Sequence, residues 1–258
     1  MEQRDVRGHY EELAAEYDEH WVYGPDYVPW MSARIAEALR LTPTDRIADI
    51  GSGTGLFARE VAGALRPEHP ILCVDPSPAM LEQLGSPPPP GLTPLVASGE
   101  DIAEGRVGLP HEQLDAMWLK ESVHHLPDPA QTLLGLADRL APGGRLLVVM
   151  LPVMIRYPLF EAALTRFREL QPDPNTIVGH LRAAGLDAEL GHVEYELRID
   201  RDKYLGMVRA RYMSLLSTFS DLEIEKGVEE MRAAHPESVL VFPDRFAFVL
   251  GERRGGDT

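Results

Sequence analysis

The chain holds one cysteine, Cys73, in 258 residues. That excludes an intrachain disulfide and any cysteine-based metal cluster, and it fits a reducing compartment. Basic residues are scarce: 25 Lys and Arg stand against 41 Asp and Glu, for a formal net charge of -16. Such a field repels phosphate backbones, which are normally gripped by clustered Lys and Arg, so a nucleic-acid substrate is disfavoured. Long apolar runs are missing too. The longest, near Leu146 to Ile155, is interrupted by Pro152 and is too short to span a bilayer. The opening Met-Glu-Gln-Arg-Asp lacks the basic-then-apolar order of a secretory signal. The expectation is a cytoplasmic protein without a membrane partner. There is no internal repeat and no long linker of low complexity; the Pro-rich stretch Ser86 to Gly91 reads as a stiff surface loop.

What is present is ordinary for a globular protein: 44% hydrophobic and 26% charged residues, enough for one large domain with an elaboration. Tyr10, Leu13, Ala14, Tyr17 and Trp21, then Val28, Met31, Ile35 and Leu39, recur at helical spacing and predict two opening amphipathic helices, an N-terminal lid over residues 8–40. β-type runs follow at Arg46 to Ile50, Ile71 to Asp75, Pro94 to Ala97, Leu114 to Leu119 and Arg145 to Met150, with helix-forming segments between them. That alternation predicts a parallel sheet covered on both faces. Asp128, Pro129 and Gln131 mark a helix start, and Ala141 to Gly144 is expected to end that helix. Residues 156–185 read as mainly helical, and two more β runs lie at Val193 to Ile199 and Arg245 to Gly251. Between them, residues 201–235 form a helical cap, in which Ser220 and Glu223 make a capping box. The core is then residues 41–200 and 236–253 of a single domain.

The chemistry concentrates where the first β run ends in Asp49-Ile-Gly-Ser-Gly-Thr-Gly55 and passes into a helix with Phe57, Val61 and Leu65 on one side. Glycines at 51, 53 and 55 clear side chains from a ligand and permit positive φ beside a helix N-terminus. Twenty residues on, Ile71-Leu-Cys-Val ends at Asp75. An acid at that place in a doubly wound fold accepts hydrogen bonds from ribose hydroxyls, so the pair signals an adenosine-containing ligand. The dinucleotide fingerprint is Gly-x-Gly-x-x-Gly; this turn is Gly-x-Gly-x-Gly, which argues against a pyrophosphate cradle.

Asp49 to Gly55 resembles motif I of class I S-adenosylmethionine-dependent methyltransferases, and Val74-Asp-Pro-Ser-Pro-Ala-Met-Leu81 is similar to that family's second motif. The resemblance covers roughly residues 8–150, is closest to the small-molecule, type 11-like members, and implies S-adenosylmethionine as cofactor. It implies a Rossmann-like, seven-stranded doubly wound α/β sheet whose last strand is antiparallel. By the same resemblance Ser98 and Gly99 sit at the adenine edge and Pro76 and Met80 against its faces, although Ser98 replaces a commoner Asp. Lys120 offers its backbone carbonyl to the cofactor's amino group, and Tyr17, with Tyr10 second, closes over the methionine part. Tyrosines on a helical apolar stripe are also ordinary core residues.

Methyl transfer from a sulfonium asks the protein to align the acceptor, exclude water and remove a proton where the acceptor carries one. His124 and His125 follow the fourth strand, at the sheet edge where open α/β folds bind ligands, and are the candidate bases, His125 first. No Asn-Pro-Pro-Tyr-like segment follows that strand and no cysteine lies near it, which weakens both nucleic-acid amine and pyrimidine chemistry. No His, Asp and Glu set has metal-ligand spacing, so no metal is expected. Arg209, Arg211 and Tyr212 on the cap are candidates for holding an acceptor carboxylate, against the plainer reading of solvated or paired arginines. The expected function is O-, N- or C-methylation of a small organic metabolite, as in small-molecule biosynthesis. The alternatives are a peptide or protein acceptor, or a protein that binds S-adenosylmethionine without transferring methyl.

Overall fold

The computed structural model describes residues 24–255, so the expected first helix, with Tyr10 and Tyr17, lies outside the described residues. The elements run α1 (Tyr27–Ala38), β1 (Ile47–Ile50), α2 (Leu56–Leu65), β2 (Ile71–Asp75), α3 (Pro78–Glu82), β3 (Leu92–Val96), α4 (Gly99–Ala103) and β4 (Leu114–Lys120). A 3-10 turn (Val123–His125) then leads to α5 (Pro129–Asp138), β5 (Leu140–Met150), α6 (Glu161–Leu170), α7 (Pro174–Ala183) and β6 (Asp187–Asp200). Finally come α8 (Arg201–Arg209), a 3-10 turn (Ser214–Thr218), α9 (Asp221–Ala234) and β7 (Val239–Glu252). The seven strands form one sheet in the order β3-β2-β1-β4-β5-β7-β6. β7 runs antiparallel to both β5 and β6, and the pairings among β1 to β5 are parallel. The expected architecture is the observed one.

β1 and β2 are buried along their whole length, as strands covered on both faces must be. Successive side chains therefore serve two cores. Ile47, Ala116, Trp118, Leu147, Val149, Phe242, Phe246 and Phe248 belong to one, under α1, α2 and the cap. Ala48, Ile50, Met117, Leu119, Leu146, Val148, Ala247 and Val249 belong to the other, against α5 and α7. This two-residue alternation decides where the polar residues interleaved with them must point.

Two local expectations changed. The helix after His125 starts as foreseen, with Asp128 accepting from the Gln131 N–H at 3.0 Å and Pro129 at its first position, but it ends at Asp138 rather than at Ala141 to Gly144. Leu140 pairs with Leu114 and draws that segment into β5 across a register shift. β6 and β7 are each 14 residues long and stay paired from Asp187↔Glu252 to Asp200↔Val239, so they project beyond the last β5 pair, Met150↔Ala247. The cap packs onto this projecting arm, with Tyr204, Tyr212 and Phe242 buried and a Gly227 against the Phe160 ring. No described helix is long and apolar enough to cross a membrane.

Two glycines test the packing with opposite signs. A Cβ at Gly135 in α5 would sit 2.7 Å from both the Cβ and the carbonyl oxygen of Ala103, whereas one at Gly179 in α7 meets nothing within 4 Å. Gly135→Ala is expected to lower stability by about 1–3 kcal/mol and Gly179→Ala to raise it by about 0.5–1 kcal/mol. Denaturant titration of the two variants measures both.

Candidate cofactor and acceptor site

The glycine turn hangs from β2. Gly51 and Ser52 both donate to the Val74 carbonyl, at 2.8 and 2.9 Å, and the Asp75 carboxylate accepts from the Gly53 N–H at 2.8 Å and the Ser77 N–H at 2.9 Å. Across the turn, the Ser122 hydroxyl donates to the Ile50 carbonyl at 3.0 Å. Gly51, Gly53 and Gly55 have φ of 75°, 56° and 73°, the left-handed region that side chains disfavour. Their surroundings differ. A Cβ at Gly51 would lie 2.6 Å from the Ser122 Cβ and one at Gly55 2.4 Å from Leu84, but one at Gly53 would enter open space.

That space is a cavity of about 480 Å³, within the usual range for small-ligand clefts. It brings together Gly51, Gly53, Asp75, Pro76, Met80, Ser98, Gly99, Lys120 and His125, residues separated by up to 74 positions in the chain. A smaller hollow of about 60 Å³ shares Gly51, Gly53, Lys120 and Glu121 with it and adds Asp49, Tyr27, Thr54 and Phe57. Gly55 lines neither; it is the N-cap of α2, packed on Leu84. Ser98 is the N-cap of α4 in a capping box with Asp101, its hydroxyl accepting from the Asp101 N–H at 3.2 Å, which leaves the hydroxyl proton able to donate. Of the two histidines His125 faces the cavity. The rings of His124 and His125 lie 4.0 Å apart. Burial, helped by the neighbouring His125, pushes His124 down to about 3 and so keeps it neutral at physiological pH.

The charges are crowded and mostly carboxylic. Asp49 is held well above the usual carboxylate range by burial and by the Asp75 charge. Lys120 pulls the other way, as does the Trp118 indole, which is close to Asp49 but short of a proper hydrogen bond. Glu121 has a left-handed φ of 52° and is raised by burial, with its Oε1 accepting from the Leu151 N–H at 2.8 Å. Non-glycine residues held in such conformations cluster at active sites and ligand clamps. Asp244, fully buried on β7, accepts from the Tyr157 hydroxyl, has no partner for Oδ2, and is pushed up to about 7 by burial. The cap arginines do not reach the cleft: Arg209 pairs with Glu225 at 2.9 Å and Arg211 with Asp221 at 2.7 Å.

Glu121, Tyr157 and Asp244 were not legible as site residues. The signal for Asp244 exists, since it interrupts an apolar alternation, Phe242, Phe246 and Phe248, on the same side of β7. The arrangement suits a ligand with a diol, a purine and a cationic end: carboxylates at Asp49, Asp75 and Glu121, an apolar shelf at Pro76 and Met80, and backbone left bare at Gly53.

Residues 48–146 match a family model described as a methyltransferase domain. A curated relative, the protein-L-isoaspartate O-methyltransferase of Roseiflexus sp. (strain RS-1), is 29% identical over 125 residues, 46% of this chain and 50% of the relative. The chain thus spans about half the length of the curated relatives it matches. Among solved structures, a candidate methyltransferase from an antibiotic biosynthesis pathway of Anabaena variabilis superposes with a TM-score of 0.66 at 17% identity, covering 86% of this chain and 96% of that one. The Haemonchus contortus phosphoethanolamine N-methyltransferase 2, in complex with S-adenosyl-L-methionine, gives 0.60 at 16% identity over 95% and 57%. At these identities the structural likeness is one of fold.

The differing surroundings of the glycines make a prediction. Gly53→Ala places its methyl in the cleft and strains φ by about 1 kcal/mol, so S-adenosylhomocysteine affinity should fall while the thermal midpoint moves little. Gly51→Ala, driven against Ser122, should lower the thermal midpoint more than Gly53→Ala does. Calorimetric titration and thermal melts of the two variants separate the effects.

Proposed function

We propose that this chain, whose residues 48–146 match a methyltransferase-domain model, is a class I S-adenosylmethionine-dependent methyltransferase that binds S-adenosylmethionine in the glycine-turn cleft and methylates a small organic acceptor. The observation that carries the reading is Asp75, a carboxylate at the end of β2 that braces the turn and lines the same cavity as Gly53. In this reading Asp75 takes the ribose hydroxyls, and Pro76, Met80, Ser98 and Gly99 enclose the adenine. Asp49, Gly51 and the Lys120 carbonyl meet the methionine end. The cofactor supplies a methyl group already activated on sulfur.

What this chain contributes is position and exclusion of water. Tyr27, Trp30 and Tyr195 form an aromatic wall, with ring centroids 5.0–6.4 Å apart, beside the smaller hollow. The cap closes the same side of the sheet, which favours a small acceptor over a polymer. His125 is the group placed to take a proton from an acceptor that arrives as a hydroxyl or an amine. His124 is a poor candidate for that step, because its environment penalises the imidazolium that proton uptake would create. A peptide or protein acceptor is the second reading, favoured by the name of the curated relatives; binding without transfer is the third.

Incubation of the protein with methyl-labelled cofactor and separate pools of small metabolites and peptides tests the choice. Label in the metabolite pool is the expected result; label in the peptide pool supports the second reading, and tight binding with no transfer supports the third. With an acceptor that must lose a proton, His125→Ala should lower turnover by about 10²-fold and leave cofactor affinity unchanged. Undiminished turnover would remove His125 from the mechanism.

A further inference from the structure

Lys120 is one of three lysines in the chain. It stands two residues beyond Trp118 on β4, so the strand alternation turns it to the face covered by α1, α2 and the cap. Its ammonium lies 4.5 Å from the Phe57 ring centroid and 5.5 Å from that of Phe246, and the residue lines both hollows of the cleft. Among the described residues no hydrogen bond or ion pair engages it. Burial pushes the Lys120 amine below its usual range, and the carboxyls whose fields oppose that shift come from three sides: Glu121 just after β4, Asp244 on β7 and Asp49 on β1. Glu121 is already bound to the Leu151 N–H. Asp244 is bound to Tyr157, and its other charged or polar neighbours are Tyr204 and Tyr212 on the cap, whose hydroxyls bond each other at 3.0 Å.

A cation enclosed by aromatic rings and apolar core, with no ion pair, is expensive to keep unless something else meets it. We infer that the Lys120 ammonium recognises the acceptor and selects one bearing an anionic oxygen, a carboxylate or a phenolate, while Asp244, held by Tyr157, governs how much of that charge is available. The inference rests on reading the cleft as a methyl-transfer site.

An amine acceptor in its cationic form would be repelled by Lys120, and a neutral one would leave it unmet; an oxygen anion is drawn in. The chemistry balances without a further reactant. A carboxylate arrives without a proton, and a phenol first gives its proton to His125. The oxygen lone pair then forms the bond to the methyl carbon as the carbon–sulfur pair goes to sulfur, giving a methyl ester or ether and a neutral thioether. The product has lost the charge that Lys120 held, which favours release.

Asp244 is a positioning residue in this scheme, and pH reports on it. Below about 7 it keeps its proton and Lys120 is unopposed from β7; as pH rises through about 7 the new carboxylate competes with the acceptor. Anion affinity should therefore fall with rising pH, and Asp244→Asn should hold the low-pH behaviour throughout.

The test uses the full chain saturated with S-adenosylhomocysteine and two probes, benzoate and benzamide. With ¹³C-lysine, benzoate should shift the Lys120 ε-CH2 resonance, assigned by its loss in Lys120→Met, and benzamide should not. Lys120→Met should weaken benzoate by about 10- to 100-fold, the scale of a charge-assisted hydrogen bond, and Lys120→Arg should restore part of it, each variant being titrated at saturating S-adenosylhomocysteine. Asp244→Asn should flatten the pH dependence of benzoate binding. A Lys120 resonance unmoved by benzoate, equal binding of benzamide, or Lys120→Met binding benzoate as tightly as the parent chain overturns the inference. Failure of S-adenosylhomocysteine to bind the parent chain strikes instead at the methyl-transfer reading beneath it.

Discussion

The hydrogen bond from the Gly53 N–H to the Asp75 carboxylate, at 2.8 Å, is the constraint around which the site is arranged. It ties the turn after β1 to the end of β2, and the paired donation of Gly51 and Ser52 to Val74 repeats the tie on the backbone. The turn must then run with positive φ at three places, which glycine adopts without penalty. The same carboxylate that holds the turn is left facing the cleft it creates. In the proposed function, structure and ligand binding are coupled at this one side chain, and the Ser77 N–H orients its second oxygen.

Sheet alternation supplies the second layer of order. Because β1 and β4 are buried on both faces and β7 buries every second residue along its projecting half, alternate residues are committed to one core, and a polar residue in the series is committed with them. Asp49, Lys120 and Asp244 all fall on the face beneath α1, α2 and the cap. Three strands that are distant in sequence thereby deliver charged groups to one end of one face. Burial there raises Asp49, Glu121 and Asp244, with the Asp75 charge adding to it at Asp49 and the Glu121 charge at Asp244, and leaves Lys120 as the cation of the group.

Much of this was legible in the chain because its signals are local. Gly51, Gly53 and Gly55 followed by Asp75 announce a turn and an acid at fixed separation, and the apolar runs announce the strands that carry them; the parallel sheet followed from these, and the antiparallel last strand from the resemblance to class I methyltransferases. The extent of β6 and β7 was underestimated because the projecting arm is half-polar, with residues such as Glu194, Glu196 and Arg198 on its exposed side, and only cross-strand pairing shows that it stays extended. Asp244 and Tyr157 meet across 87 positions of chain, and no local pattern records such a contact. Arg209 and Arg211 misdirect for the converse reason: their types suit a carboxylate ligand, but Glu225 and Asp221 already occupy them.

The central claim is that the glycine turn and Asp75 form the binding site for S-adenosylmethionine. Calorimetric titration of S-adenosylhomocysteine into the parent chain and into Asp75→Asn tests it most directly. The account predicts one ligand per chain and an affinity reduced by about 10- to 100-fold in the variant, the cost of replacing a charged acceptor at the ribose hydroxyls. Equal affinity in the two proteins, or no binding to either, would contradict it.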